Sequence, residues 1–135
     1  MRTLIAVAML WALGFAVPAV AADNDDLEHF ENRVQQLNAQ AAKPAQVDVA
    51  LQRISTETGV PVEAVRKQHK QHPNIGIAGL MIANVLANET KKSPDEFLSK
   101  RESGKKWLAV AKAHNVSVDK LNERLDRLAS AIKGK

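Results

Sequence analysis

The 135-residue chain has no cysteine and no tyrosine, and its only aromatic residues are two tryptophans and three phenylalanines. Without cysteine there can be no disulfide bond, cysteine nucleophile or thiolate metal site. So few aromatic rings are unfavourable to a stacking platform for sugars or single-stranded nucleic acid. The chain must therefore fold by apolar packing alone.

Sequence motifs of common enzyme classes are also scarce. No G-x-S-x-G elbow and no phosphate-binding glycine loop occurs. Ser103-Gly104-Lys105-Lys106 joins a glycine to two lysines but lacks the upstream glycine of a phosphate loop, and it predicts a turn between helices. We expect a non-enzymatic protein with no cofactor.

The first residues, MRTLIAVAMLWALGFAVPAVAADND, have the three-part pattern of a secretory signal. Arg2 precedes an apolar run from Leu4 to Val17, and Ala19 to Ala21 supply the small residues that signal peptidase requires. The apolar run is shorter than the roughly 20 residues of a membrane span. We expect cleavage after Ala21, no membrane span afterwards, and a periplasmic or secreted protein.

Charge is unevenly distributed along the remaining chain. Residues 22–63 hold three basic and eight acidic residues, net −5, whereas residues 64–135 hold fifteen basic and seven acidic residues, net +8. A basic half could face an anionic polymer such as cell wall, lipid headgroups or nucleic acid. It could also be an ordinary solvated helical surface, which the lack of interleaved aromatic residues favours.

Apolar residues recur at helical spacing along most of residues 25–132, and strand patterns are nearly absent. Asp48 is expected to cap the second helix and Ser93 the fifth. Ile75 to Asn88 is apolar on nearly every side, which predicts a buried central helix. The expected fold is an all-α bundle of about seven short helices. It divides into a cleaved signal peptide (1–21), an acidic N-terminal helix and linker (22–47) and a helical domain (48–135).

Two stretches, GVPVEAV at 59–65 and NVSVDKL at 115–121, each resemble the turn and second helix of a helix-turn-helix. A shift of 56 residues aligns them, with Gly59 on Asn115 and Leu51 on Trp107. Because an exported protein does not normally meet the chromosome, we interpret the pattern as a packing unit, present twice. DNA binding is a remote alternative, and the similarity of any two helical hairpins is the alternative to a repeat.

The same shift places His69 on Leu125 and His72 on Leu128. It therefore predicts that both histidines lie on the inward face of their helix. H-x-x-H spacing could let them share a divalent metal, although further ligands are not evident. A packing contact that responds to pH is the alternative.

The run from Ile54 to Leu121 contains TGVPVEAVRKQ, GLMIANVLANETKKSPDEF and SGKKWLAVAKAHNVSV. It resembles a group of small exported bacterial proteins of unknown function, and the resemblance implies an exported helical domain with no assigned activity. Trp107 to Leu125 also resembles the two-helix middle of lysin-motif modules, which bind peptidoglycan. The two strands that flank those helices have no counterpart in the sequence.

The candidate binding residues are Ser103, Gly104, Lys105, Lys106 and Trp107. Trp107 has a second interpretation as a core residue, because it aligns with Leu51. Gly79, Ala83 and Ala87 recur every four residues and could form a smooth face for another helix or for a homodimer. We expect a protein that binds or scaffolds in the envelope, with an envelope protein or a cell-wall polymer as its partner.

Overall fold

The structure, a computed structural model, describes residues 25–134, and these residues form seven α-helices and no strand. The helices are α1 (residues 25–40), α2 (Pro44–Thr58), α3 (Val62–Gln71), α4 (Gly76–Thr90), α5 (Pro94–Glu102), α6 (Trp107–Ala113) and α7 (Val118–Lys133). The predicted all-α bundle of short helices is confirmed. The predicted signal peptide, residues 1–21, lies outside the described residues.

Helix α4 is the centre of the bundle. Every residue from Ile77 to Ala87 is buried, and α2, α3, α5, α6 and α7 all contact this helix. Its all-round apolar sequence predicted this position. Gly79, Ala83 and Ala87 lie inside the core, so the chain's own helices cover the face that was considered for a homodimer.

Helix α1 shares one core with the other helices, since Phe30 and Leu37 are buried in the same apolar cluster as residues of α4 and α7. Helix α2 begins at Pro44, ahead of the domain boundary expected between residues 47 and 48. The expected cap residue Asp48 lies within α2 and accepts a hydrogen bond from Gln52 Nε2 at 3.0 Å. Proline needs no N–H partner at the first helical position, which explains the earlier start.

The α2–α3 and α6–α7 pairs turn in the same way. Gly59 and Asn115 both adopt the left-handed conformation, with φ of 76° and 59°. Pro61 and Ser117 then precede their helices with ψ of 140° and 134°. The alignment at a shift of 56 residues therefore predicted the backbone of both turns correctly.

The alignment predicted only part of the inward face of α3, since the side chain of His72 is 16% exposed and its Nδ1 is buried. Val65 and Gln68 are the buried residues of α3, whereas His69 and His72 are half-buried. The Gln68 amide meets Asn84 of α4 through two reciprocal hydrogen bonds, Nε2 to Oδ1 at 3.2 Å and Nδ2 to Oε1 at 2.7 Å. Asn84 Nδ2 also donates to the Leu80 carbonyl at 2.8 Å. The side-chain hydrogen bonds of Gln68 within the described residues both go to Asn84, so the buried Gln68 amide depends on Asn84.

The start of α4 is capped by a side chain from α1. Asn38 Oδ1 accepts a hydrogen bond from the Ala78 N–H at 2.9 Å, and Asn38 Nδ2 donates to the Ile75 carbonyl at 3.4 Å. The N-cap residue of α4, Ile75, offers no side-chain cap of its own. A Cβ atom at Gly76 would lie 2.4 Å from the Asn38 amide, so this cap requires glycine at that position.

Candidate functional site

The five candidate binding residues separate into an exposed turn and a core side chain. Ser103, Gly104, Lys105 and Lys106 are exposed between α5 and α6. Trp107 begins α6 and is fully buried. The structure thus supports the core interpretation of Trp107, and we call residues 103–106 the basic turn.

The basic turn is fixed by a carboxylate from α1. Glu31 Oε2 accepts a hydrogen bond from the Trp107 backbone N–H at 2.8 Å, and Glu31 Oε1 accepts one from Arg101 Nη2 at 2.5 Å. The Arg101 guanidinium lies 5.4 Å from the centre of the Trp107 ring, and its Nη1 donates to the Lys105 carbonyl at 3.3 Å. These contacts hold both ends of the turn.

Lys105 and Lys106 differ from most basic residues of the bundle because they have no carboxylate partner among the described residues. Basic residues with an ion pair to another described residue include Arg33, Arg53, Arg66, Lys92, Lys100, Arg101, Lys120, Arg124 and Arg127. The basic turn therefore presents two adjacent ammonium groups whose charge no neighbouring carboxylate neutralises.

The two predicted site regions are neighbours in the fold. His72 is the C-cap residue of α3, and its Nδ1 lies 2.9 Å from Oε2 of Glu102, which directly precedes the basic turn. The N–H direction does not give this contact hydrogen-bond geometry, so we regard it as an ion pair when the imidazole is protonated. Within residues 25–134, no group of three or more histidine, aspartate or glutamate side chains could hold a metal ion.

A groove that sequence reasoning missed lies between α1, α6 and α7. It has a volume of about 410 Å³, in the range of small-ligand sites. Phe30, Leu108 and Val118 form its apolar floor, and its polar lining consists of Asp26, His29, Arg33, Lys112 and Asn122. The sequence spacing of Asp26, His29, Phe30 and Arg33 places them on one face of α1. The sequence does not indicate that α6 and α7 pack beside that face.

A second missed feature is the carboxylate of Glu57, which joins the end of α2 to α7. Its Oε1 accepts hydrogen bonds from Arg124 Nη1 at 2.7 Å and Arg127 Nη1 at 2.9 Å, and Arg53 Nη1 lies 3.3 Å from Oε2. Burial raises the pKa of Glu57, but the hydrogen bonds and charges of Arg127 and Arg124 outweigh it, so the pKa lies below its ordinary value. We expect this cluster to stabilise the contact between the end of α2 and α7.

Comparison with known proteins identifies no family, relative or structural neighbour of this chain. The chain matches no protein-family model, and searches of curated proteins and of solved structures found no match. None of the helices within residues 25–134 has both the length and the hydrophobicity needed to cross a membrane. The function must therefore be inferred from the chain's own residues.

Proposed function

We propose that this protein is an exported, non-enzymatic binding protein of the cell envelope, and that its basic turn contacts an anionic polymer such as the cell wall. The observation that carries the proposal is the pair of exposed, unneutralised lysines, Lys105 and Lys106, on a turn that Glu31 fixes. A fixed turn presents its charges without an added cost for ordering the backbone.

Several polar groups of the bundle are engaged in contacts within the fold. Glu57 is engaged by arginines, and Gln68 and Asn84 engage each other. In the basic turn, the Ser103 hydroxyl donates to the Lys100 carbonyl at 2.7 Å, where it is held as a structural group. These contacts give the four side chains structural roles, whereas Lys105 and Lys106 are exposed and without an ion pair among the described residues.

Electrostatic attraction at an exposed surface depends strongly on salt. The Debye length is about 10 Å at 0.1 M salt and about 3 Å at 1 M. Retention on an anionic polymer through two exposed lysines should therefore be measurable at low salt and largely lost near 1 M. Retention that persists in high salt would require contacts beyond these charges.

The test is co-sedimentation of residues 22–135, which include every helix described, with purified peptidoglycan sacculi at low and high salt. The variant Lys105→Ala/Lys106→Ala removes the charges of the basic turn. The matched control, Lys43→Ala/Lys133→Ala, removes two exposed lysines elsewhere that also have no ion-pair partner among the described residues. We expect several-fold weaker low-salt retention for the first variant and near-normal retention for the control.

Two results would overturn the proposal. Equal losses in both variants would show that total charge, rather than the basic turn, drives retention. No retention of the wild-type protein at low salt would exclude the cell-wall polymer as the partner. Circular dichroism of each variant confirms that the helical fold is intact.

A further inference from the structure

A carboxylate lies beside the lysines of the basic turn. Glu102 directly precedes the turn, and its side chain is 44% exposed. The Lys105 N–H donates to the Lys100 carbonyl at 3.2 Å, which closes a backbone loop around Glu102. The position of Glu102 relative to the turn is therefore fixed by the fold.

Glu102 acts on the lysines at a distance rather than by direct pairing. It makes no ion pair with Lys105 or Lys106. Three residues of chain span at most about 11 Å, and the Debye length is about 10 Å at 0.1 M salt. The two lysines and this carboxylate therefore present a net charge of +1 to an anionic partner, instead of the +2 of the lysines alone.

The imidazole of His72 is the group that can cancel the charge of Glu102. Its Nδ1 lies 2.9 Å from Glu102 Oε2, and the His72 side chain is only 16% exposed, so water screens the contact little. Histidine changes its charge between about pH 5 and 8. A protonated His72 neutralises the carboxylate, and a neutral His72 leaves it unpaired.

The helices around His72 bring no competing carboxylate to it. The His72 carbonyl accepts from the Ile75 N–H at 3.1 Å, and the Ile75 carbonyl accepts from Asn38 of α1. The adjoining parts of α1 and α4, residues 34–41 and 76–88, contain no ionisable side chain. Glu102 is the carboxylate within ion-pair distance of His72 in the part of the chain that the structure describes.

The other charged and titratable groups at this end of the bundle keep separate contacts. Arg101 pairs with Glu31, and Lys100 pairs with Glu96 and contacts Nε2 of His114 at 3.2 Å. The last turn of α3 carries His69 and Lys70 in addition to these groups. The test must therefore separate His72 from the remaining histidines.

We propose that the His72–Glu102 pair makes binding at the basic turn depend on pH: protonation of His72 neutralises Glu102, so the turn holds its anionic partner more tightly in mild acid. This inference rests on the proposed polymer binding and adds its regulation. At higher pH, the unpaired carboxylate beside the lysines repels the polymer. A site that used ionised Glu102 to hold a cation would show the opposite dependence.

The test is sedimentation of residues 22–135 with sacculi at low salt, at about pH 5.5 and about pH 7.5, on either side of the ordinary histidine titration. Carboxylates of the polymer stay ionised there, because carboxyl groups ordinarily titrate near about pH 4. Wild-type retention should be about threefold stronger at the lower pH, the size expected for one partly exposed charge pair. His72→Gln should lose most of this difference. The control His29→Gln, which removes an exposed histidine of α1, should keep it.

The variant Glu102→Gln tests the repulsion directly. It removes the carboxylate at every pH, so its retention at neutral pH should exceed that of the wild type by about threefold. Glu63→Gln removes an exposed carboxylate of α3 and is the matched control, with retention like that of the wild type. Weaker retention of Glu102→Gln would show that the carboxylate assists binding and would overturn the proposal.

A second measurement needs no polymer. In an NMR titration, the carboxyl carbon signal of Glu102 should shift with the same midpoint as the ring protons of His72. That shift should disappear in His72→Gln and remain in His29→Gln. A Glu102 signal that does not follow His72 would overturn the pair itself.

The two measurements distinguish failure of the regulation from failure of the polymer site. Equal pH dependence of retention in the wild type and His72→Gln would overturn the regulation and leave polymer binding standing. No wild-type retention at either pH would overturn polymer binding and its regulation together. A Glu102 signal that still followed His72 would then show that the choice of partner, rather than the ion pair, was wrong.

Discussion

The indole ring of Trp107 lies against Gly79 in the centre of the bundle. A Cβ atom at Gly79 would stand 3.3 Å from Cζ2 of Trp107 and 2.4 Å from Cγ2 of Ile75. Since Trp107 is the largest fully buried side chain within residues 25–134, the missing side chain at Gly79 is what allows α6 to approach α4. The glycine acts here through its small volume.

Gly79→Ala should therefore destabilise the protein. Alanine improves helix propensity by about 1 kcal/mol, but overpacking of a filled core costs about 1–3 kcal/mol. We expect a net loss of about 1 kcal/mol in urea denaturation. Ser99→Ala, at an exposed position of α5, is the control and should not destabilise the protein, because alanine has the higher helix propensity and no core packing is changed there. A more stable Gly79→Ala protein would contradict the close packing.

The buried amide pair of Gln68 and Asn84 should show strong coupling. Asn84→Leu leaves the Gln68 amide unpaired in the core, Gln68→Met leaves the Asn84 amide without its partner, and each should cost about 1–3 kcal/mol. The double variant Gln68→Met/Asn84→Leu removes both partners. Its loss of unfolding free energy should be clearly smaller than the sum of the losses in the two single variants. Urea denaturation of all four proteins in this cycle measures the coupling. Additive effects would contradict the reciprocal hydrogen bonds.

Asn38→Ala should destabilise the start of α4, because it removes the side chain that accepts from the Ala78 N–H. Loss of a helix cap costs about 1 kcal/mol. Asn32→Ala, at an exposed position of the same helix, is the control and should have little effect. Thermal denaturation compares the two variants, and equal melting temperatures would contradict the cap.

The contribution of Glu57 should depend on pH. Glu57→Gln should cost about 1–3 kcal/mol at pH 7, because arginines of α7 lose their buried partner. The pKa of Glu57 is lower in the folded chain than its ordinary value of 4.5. Its stabilisation is therefore complete above that value and is lost as the pH falls through the folded-state pKa.

Urea denaturation between pH 7 and pH 3 tests this prediction. The stability difference between the wild type and Glu57→Gln should shrink in acid. The control Glu123→Gln removes an exposed carboxylate that pairs only with Arg127, and it should change stability by less than about 0.5 kcal/mol. A difference that stays constant down to pH 3 would show that the carboxylate charge is not what stabilises the α2–α7 contact.

Local patterns were sufficient to predict the helices and the burial of α4. Apolar periodicity located each helix, and Ser93 caps α5 as expected, accepting from the Asp95 N–H at 3.2 Å. The equivalence of Gly59 and Asn115 was predictable because both residue types tolerate positive φ. Asp48 was mistaken for a cap because proline at a first helical position is a stronger start signal than an aspartate four residues later.

The candidate site was harder to predict, because its parts come from helices that are distant in sequence. Glu31 reaches Trp107 across 76 positions, and no local pattern links an acidic residue of α1 to the basic turn. The alignment also missed Gln68 on the inward face of α3, since it assumed that His69 and Leu125 are equivalent. Gln68 can be buried there because Asn84 satisfies its amide, and that partnership depends on tertiary structure.

The pairing of Arg33 with Asp126, 93 positions apart, has a consequence for how the chain folds. The first described helix finds its partners on the last one, so α1 cannot complete its packing until nearly the whole sequence is present. Such distant closure slows folding relative to a bundle of neighbouring hairpins. During synthesis, the contact between Arg33 and Asp126 can therefore form only after α7 has emerged.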